Sequence, residues 1–197
     1  MEMTGEQLIP AAQSDTWAAL NDPEILKACI PGCESIELTG ANEYVVLMTA
    51  RVGPVSAKFK GKMTLSNIQA PDSYSIAFEG QGGVAGFAKG GADVSLKTEG
   101  HDTRLSYKVK ANVGGKLAQI GSRLVDAAAN KVATDFFNAF NEKVARPQAN
   151  HATDLHDEHH PGPVASDPDL PKVSDASLSF FAAGALVVFV VALLTLI

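Results

Sequence analysis

Histidine, cysteine and tryptophan are nearly missing from the first 145 residues of this 197-residue chain, which hold only His101, Cys29, Cys33 and Trp17 of these types. A zinc site needs about four nitrogen or sulfur ligands, so this part offers little for metal chemistry. Basic residues are not in excess either. Residues 1–145 carry 14 Lys plus Arg against 16 Asp plus Glu, and the whole chain has a net charge of −6. Nucleic-acid affinity comes from phosphate neutralisation, so nucleic acid is excluded as an expected partner. No nucleophile, base and acid stand together, and His101 sits in a Gly100-His101-Asp102 turn, so hydrolase chemistry has no visible carriers. Met1 to Gln7 contain two acids, no base and no apolar run, unlike the start of a secretory signal. The expectation is a domain on the cytoplasmic side, with Cys29 and Cys33 as free thiols.

Charge is missing altogether from residues 178–197, where thirteen of twenty residues are Leu, Ile, Val or Phe and the only hydroxyls are Ser179 and Thr195. As a helix this segment would measure about 30 Å, one hydrocarbon core. On insertion scales those thirteen side chains favour the bilayer by about 4 to 8 kcal/mol. It has no polar face at any period, which argues against a buried helix of a small domain. The expectation is a single-pass C-terminal anchor in the cell membrane. Between domain and anchor, residues 146–177 hold five of the ten prolines and four of the five histidines. That composition cannot build a core. As a coil, its 32 residues would span roughly 30 Å. His151, His156, His159 and His160 with Asp154, Asp157 and Glu158 are read as a solvated spacer rather than a metal site.

What is present in residues 1–145 is regular patterning. A strand is expected at Gly5–Ile9, then a short helix capped by Ser14 and carrying Trp17 and Leu20. Asn21-Asp22-Pro23 breaks it and starts a second helix, which Pro31-Gly32 ends. Strand formers fill Tyr44–Val52. Period-two alternation then marks runs around Lys58–Leu65, Tyr74–Phe78, Val94–Lys97 and Leu105–Lys110, an antiparallel sheet of about six strands with one wet face. A long helix from about Lys116 to Val144 comes last, with Leu117, Ile120, Leu124, Ala128, Val132, Phe136, Phe140 and Val144 at helical spacing. It is the only large cover for the sheet's apolar face. Small residues at Ala127, Ala128 and Ala129 leave room for an apolar cavity between helix and sheet. The fold class is therefore α+β.

The glycine-rich stretch Gly80–Gly91 contains Gly80-x-Gly82-x-x-Ala85. Residues Ala92 to Lys97 alternate as a strand rather than starting a helix, so a dinucleotide loop is rejected. The stretch is either a plain turn or a flexible flap, with Val84 and Phe87 as apolar contacts. Gly114-Gly115-Lys116 lacks the remainder of a phosphate loop and is read as a hinge before the long helix. Pro31-Gly32 is read as a cavity rim or partner contact. Lys58, Lys60 and Lys62 share one strand face and Lys108 and Lys110 another: an ordinary wet face, or a basic patch for an acidic partner or anionic headgroups.

Several blocks in order carry a family resemblance: Ala18-Ala19-Leu20-Asn21-Asp22-Pro23-Glu24, Cys29-Ile30-Pro31-Gly32-Cys33-Glu34, Val52-Gly53-Pro54-Val55 with Phe59-Lys60-Gly61-Lys62, the run from Gly80 to Gly90, and Val113 to Leu124. Through them the chain resembles the G-subunit family of carbon monoxide dehydrogenase, within the START-like, helix-grip superfamily. The resemblance implies a curved antiparallel sheet wrapped around the long C-terminal helix over residues 1–145. It also implies a non-catalytic accessory protein that recruits a molybdenum hydroxylase-type carbon monoxide dehydrogenase to the membrane. No tightly bound cofactor is expected. A lipophilic ligand, a respiratory quinone, is the implied guest of the cavity, with Phe78, Val84, Phe87, Tyr107, Leu117, Ile120, Leu124 and Ala128 as its expected contacts. An accessory scaffold without ligand, and a helix-grip enzyme built on Tyr44, Tyr74 or Tyr107, are the competing readings.

Overall fold

A computed structural model describes residues 2–52 and 55–145. The Gly53-Pro54 turn, the linker and the expected anchor lie outside the described residues. Seven strands form one antiparallel sheet: β1 (Glu2–Ile9), β2 (Cys33–Gly40), β3 (Glu43–Val52), β4 (Val55–Gln69), β5 (Ser73–Gln81), β6 (Phe87–Glu99) and β7 (Asp102–Gly114). The spatial order is β1-β7-β6-β5-β4-β3-β2, so β2 to β7 form a continuous meander and β1 closes onto β7. Register shifts between Cys33 and Ser35, Leu38 and Gly40, and Ser66 and Gln69 interrupt the ladders. Such bulges add twist and curvature. The wet and dry faces alternate as the sequence pattern requires: in β5, Tyr74, Ile76, Phe78 and Gly80 are buried while Ala77, Glu79 and Gln81 are exposed. One strand, β2, was not among the expected runs.

Two short helices, α1 (Gln13–Leu20) and α2 (Pro23–Cys29), connect β1 to β2. Asp22 caps α2, accepting from the Glu24 and Ile25 amides, with Pro23 in the first turn. The start of α1 differs from expectation. Ala12 occupies the cap position without a side-chain bond, and Ser14 lies inside the helix. Gln13 fixes this end instead. Its Nε2 donates to Asp72 Oδ1 at 2.8 Å and to the Leu96 carbonyl at 3.2 Å, and its Oε1 accepts from the Thr98 hydroxyl at 2.7 Å.

The long helix is not continuous. A short turn, α3 (Lys116–Gln119), is separated by Ile120 and Gly121 from α4 (Ser122–Val144). Gly121 has φ of +94°, a conformation that ends one helix before the next begins. The buried face of α4 is Val125, Ala129, Ala133, Phe136, Phe137 and Phe140. The core it joins includes Leu20, Leu26, Tyr44, Met48, Phe59, Met63 and Leu105. Aromatic contacts fill the C-terminal half of this face: Phe136 stacks on Phe140 at 5.4 Å, and Phe137 on Tyr107 at 5.9 Å. Trp17 meets Tyr74 edge-on at 5.5 Å.

Candidate functional site

The N-terminal half of the buried α4 face carries only Val125, Ala129 and Ala133, against three phenylalanines in the other half. Among the described residues the contiguous core takes in Phe136, Phe137 and Phe140 but not Val125, Ala129 or Ala133. Val125, Ala129 and Ala133 are nonetheless buried, Ala129 fully. A cavity of about 390 Å³ lies at this end, lined by Glu2, Ala111, Asn112 and Val113 from the sheet and by Ala118, Ser122, Val125 and Asp126 from the helix junction. Its lining is mixed, with Ala111, Val113, Ala118 and Val125 beside Glu2, Asn112, Ser122 and Asp126. Its rim is polar, with the Glu2 carboxylate paired to Lys110 at 3.1 Å. The hydrogen bond from Lys110 holds the Glu2 carboxyl below the usual carboxylate range. The volume is within the range of small-molecule sites.

Backbone packing closes one side of this end. A single 3-10 turn, Gly83–Ala85, links β5 to β6. Gly86, at φ +125°, and Gly115, at φ +82°, approach so closely that a Cβ on either would strike the other segment's backbone. The glycine-rich stretch, expected as a turn or a flap, and the segment expected as a hinge are therefore in direct contact. Aromatic rings cover other glycines nearby: Phe59 over Gly82, Phe78 over Gly90 and Phe87 over Gly114. No helix follows the glycine-rich stretch, which runs strand, 3-10 turn, strand.

The eight expected contacts are dispersed. Phe78 and Leu117 are fully in the core. Tyr107 and Ile120 are half-buried, and Ala128 is half-buried against the core cluster. Val84, Phe87 and Leu124 are exposed, at 84%, 46% and 50%. The helical positions that line the cavity are Ala118, Ser122, Val125 and Asp126, interleaved with the expected Leu117, Ile120, Leu124 and Ala128. A second depression, about 550 Å³, lies across the wet face of the sheet, where Thr4, Glu6, Ser73, Ser75, Asp93, Ser95, Ser106 and Lys108 give it a hydroxyl-rich lining. Ser75 donates to Asp93 there at 2.8 Å.

Cys29 is buried and Cys33 half-buried, both free. Burial pushes the Cys33 thiol up to about 11, with Lys27 only partly opposing it. Among the described residues, no group of three or more His, Cys, Asp or Glu is placed to hold a metal ion. Tyr44 and Tyr74 lie in the core, where desolvation raises both phenols. Of the lysines on the wet face, Lys58 is paired to Glu34 at 2.8 Å, and the Thr49 hydroxyl donates to the same carboxylate at 2.7 Å. No helix among the described residues is long and apolar enough to cross a membrane.

Solved structures share this architecture. A conserved protein from Geobacillus kaustophilus is 30% identical, with a TM-score of 0.70 over 74% of this chain and 95% of that one. The Zhui aromatase/cyclase from Streptomyces sp. R1128 is 13% identical, with a TM-score of 0.54 over 76% of this chain and 98% of the other. Ara h 8.0201 gives 15% and 0.54, over 73% of this chain and 97% of the other. The class is thus the helix-grip fold, a curved antiparallel sheet holding a C-terminal helix. Within it, the chain belongs to the carbon monoxide dehydrogenase G-subunit (CoxG) family, whose model matches residues 5–145. That is a family of accessory subunits. No protein of curated function matches the chain.

Proposed function

We propose that this protein is a membrane-tethered accessory factor of a molybdenum hydroxylase-type carbon monoxide dehydrogenase, and that the gap between α4 and the sheet receives a lipophile, a respiratory quinone. The observation that supports the reading is the contrast along α4, aromatic toward Phe140 and small or aliphatic toward Val125, with a depression of about 390 Å³ beside Val125 and Ser122. Family membership supplies the enzyme partner. The uncharged residues 178–197 supply the tether. An apolar guest gains about 25 cal/mol for each Å² removed from water, and the rim groups Asn112 and Ser122 offer hydrogen bonds to its polar head. Tethering raises the effective concentration of the domain beside bilayer and enzyme without a tight interface. The test is extraction of the purified protein with organic solvent after incubation with a quinone, read by mass spectrometry. Recovery of about one quinone per chain is expected. A protein that emerges empty removes the carrier role and leaves a recruitment scaffold.

A further inference from the structure

Among the described residues, five large apolar side chains are exposed, and three of them share one end of the domain. Val84 tops the 3-10 turn at 84% exposure. Phe87 opens β6, where it pairs with Gly114. Leu124 is in the first turn of α4. The turn packs against α3, and only Ile120 and Gly121 separate α3 from α4. Scattered exposed apolar residues need no explanation, but a group at one tip does. Cations ring this tip. Lys60 faces Gln81 at the end of β5, Lys89 is two residues beyond Phe87, Lys116 begins α3, and Arg123 adjoins Leu124; all four are exposed. Glu79, opposite Lys89, and Asp126 are the acids beside them, while Glu2 is engaged by Lys110. The far end of the sheet has the opposite balance. Its turns hold Glu43, Asp72, Glu99 and Asp102, against Lys97 and an Arg104 already bound to Glu99.

We infer that this end is a lipid-docking tip: Val84, Phe87 and Leu124 enter the headgroup boundary of an anionic bilayer while Lys60, Lys89, Lys116 and Arg123 engage its phosphates. An apolar point within a cationic ring fits a negatively charged lipid surface, and the acidic far end turns away from it. The inference deepens the membrane role proposed for the chain and rests on it. It sets the opening of the 390 Å³ cavity, beside Ser122 and Val125, against the bilayer, so that a lipophile enters without crossing water.

The experiment uses the full chain bearing Val84→Cys, labelled with an environment-sensitive fluorophore near neutral pH. Cys29 is buried there and Cys33 is held protonated, so neither competes. A Leu38→Cys variant, 57% exposed on β2 toward the acidic end, is the matched control. Each is mixed with vesicles of phosphatidylglycerol and phosphatidylcholine, or of phosphatidylcholine alone, containing lipid-borne quencher. The expected result is a blue shift and quenching at position 84 with anionic vesicles, none at position 38, and about tenfold less quenching with Lys60→Glu and Lys89→Glu together. Co-flotation with vesicles while position 84 stays in water overturns the docking tip and leaves the tether standing. Absence of co-flotation overturns both. Protection of position 84 by the dehydrogenase but not by lipid assigns the tip to the protein partner and also overturns the inference. Quinone recovery is scored separately.

Discussion

Gly86 and Gly115 determine how the β5–β6 turn meets the start of α3, because each holds a positive φ and each would place a Cβ against the other's backbone. The chain can bring two segments that close only where neither has a side chain. Gly83, at φ +61° with open space around its Cβ position, differs: a substitution there meets strain but no neighbour. Cys33 gives a chemical prediction at the same scale. Its thiol is pushed up to about 11 by desolvation, against about 8.5 for an exposed cysteine. At pH 8 the folded thiol is then about 0.1% ionised, against about a quarter when unfolded. Iodoacetamide should modify it about 100-fold more slowly in the native protein than in urea, with the native rate rising about tenfold per pH unit. Burial favours the neutral thiol, so its contribution to stability is intact below about pH 8.5 and is lost as pH rises toward 11. Rapid native alkylation at pH 8, followed by mass spectrometry, would remove the buried-thiol account.

At the scale of elements, α4 shows how a largely correct helical face can misplace one position: Leu117, Phe136 and Phe140 are in the core and Ile120, Ala128, Val132 and Val144 pack against it, but Leu124 does not. Stepping by four from Phe136 through Val132 and Ala128 reaches Leu124, but four residues advance about 400°, so each step drifts about 40°. Leu124 is then about 120° away from Phe136, and it is exposed, whereas the buried positions are Val125, Ala129 and Ala133. Phe140→Ala should therefore lower stability by about 3 to 5 kcal/mol, the usual effect of emptying a buried aromatic site. Leu124→Ala should change it by less than about 0.5 kcal/mol. Paired thermal melts read the difference, and equal shifts would reject the exposed placement of Leu124. Strands were legible wherever alternation was strong, as in β4 and β7. β2 was not, because Cys33–Gly40 has two register shifts, which blur its period of two. The break at Gly121 was also hidden: a glycine within a helical pattern is often tolerated, and only its φ of +94° identifies it as a stop.

Across the whole molecule the buried face of α4 divides in two, three phenylalanines toward its C-terminal end and Val125, Ala129 and Ala133 toward the other. Legibility of the site followed the same division. The small residues Ala127, Ala128 and Ala129 suggested a gap between helix and sheet, but the depression found is lined instead, on its helical side, by Ala118, Ser122, Val125 and Asp126. That lining was not readable, since Glu2, Asn112 and Ser122 reach it only through strand pairing and the α3–α4 break. The β5–β6 turn and the segment before α3 were readable as glycine-rich stretches, but their mutual contact depends on the Phe87–Gly114 pairing, a long-range fact. Room for a guest beside Val125 is itself measurable. Val125 lines the depression and is buried, so Val125→Trp sends a large ring toward the cavity. In a tightly packed interior such overpacking costs about 1 to 3 kcal/mol. In a true cavity the ring occupies free space, and filling commonly adds about 0.5 to 2 kcal/mol. The expected outcome is a melting temperature unchanged or raised by a few degrees, since 1 kcal/mol corresponds to about 3 °C for a domain of this size. The same variant should lose quinone in the solvent-extraction assay, because ring and guest compete for one volume. A fall in melting temperature of several degrees with quinone retained would show that the interior near Val125 is already full and that any lipophile is held elsewhere.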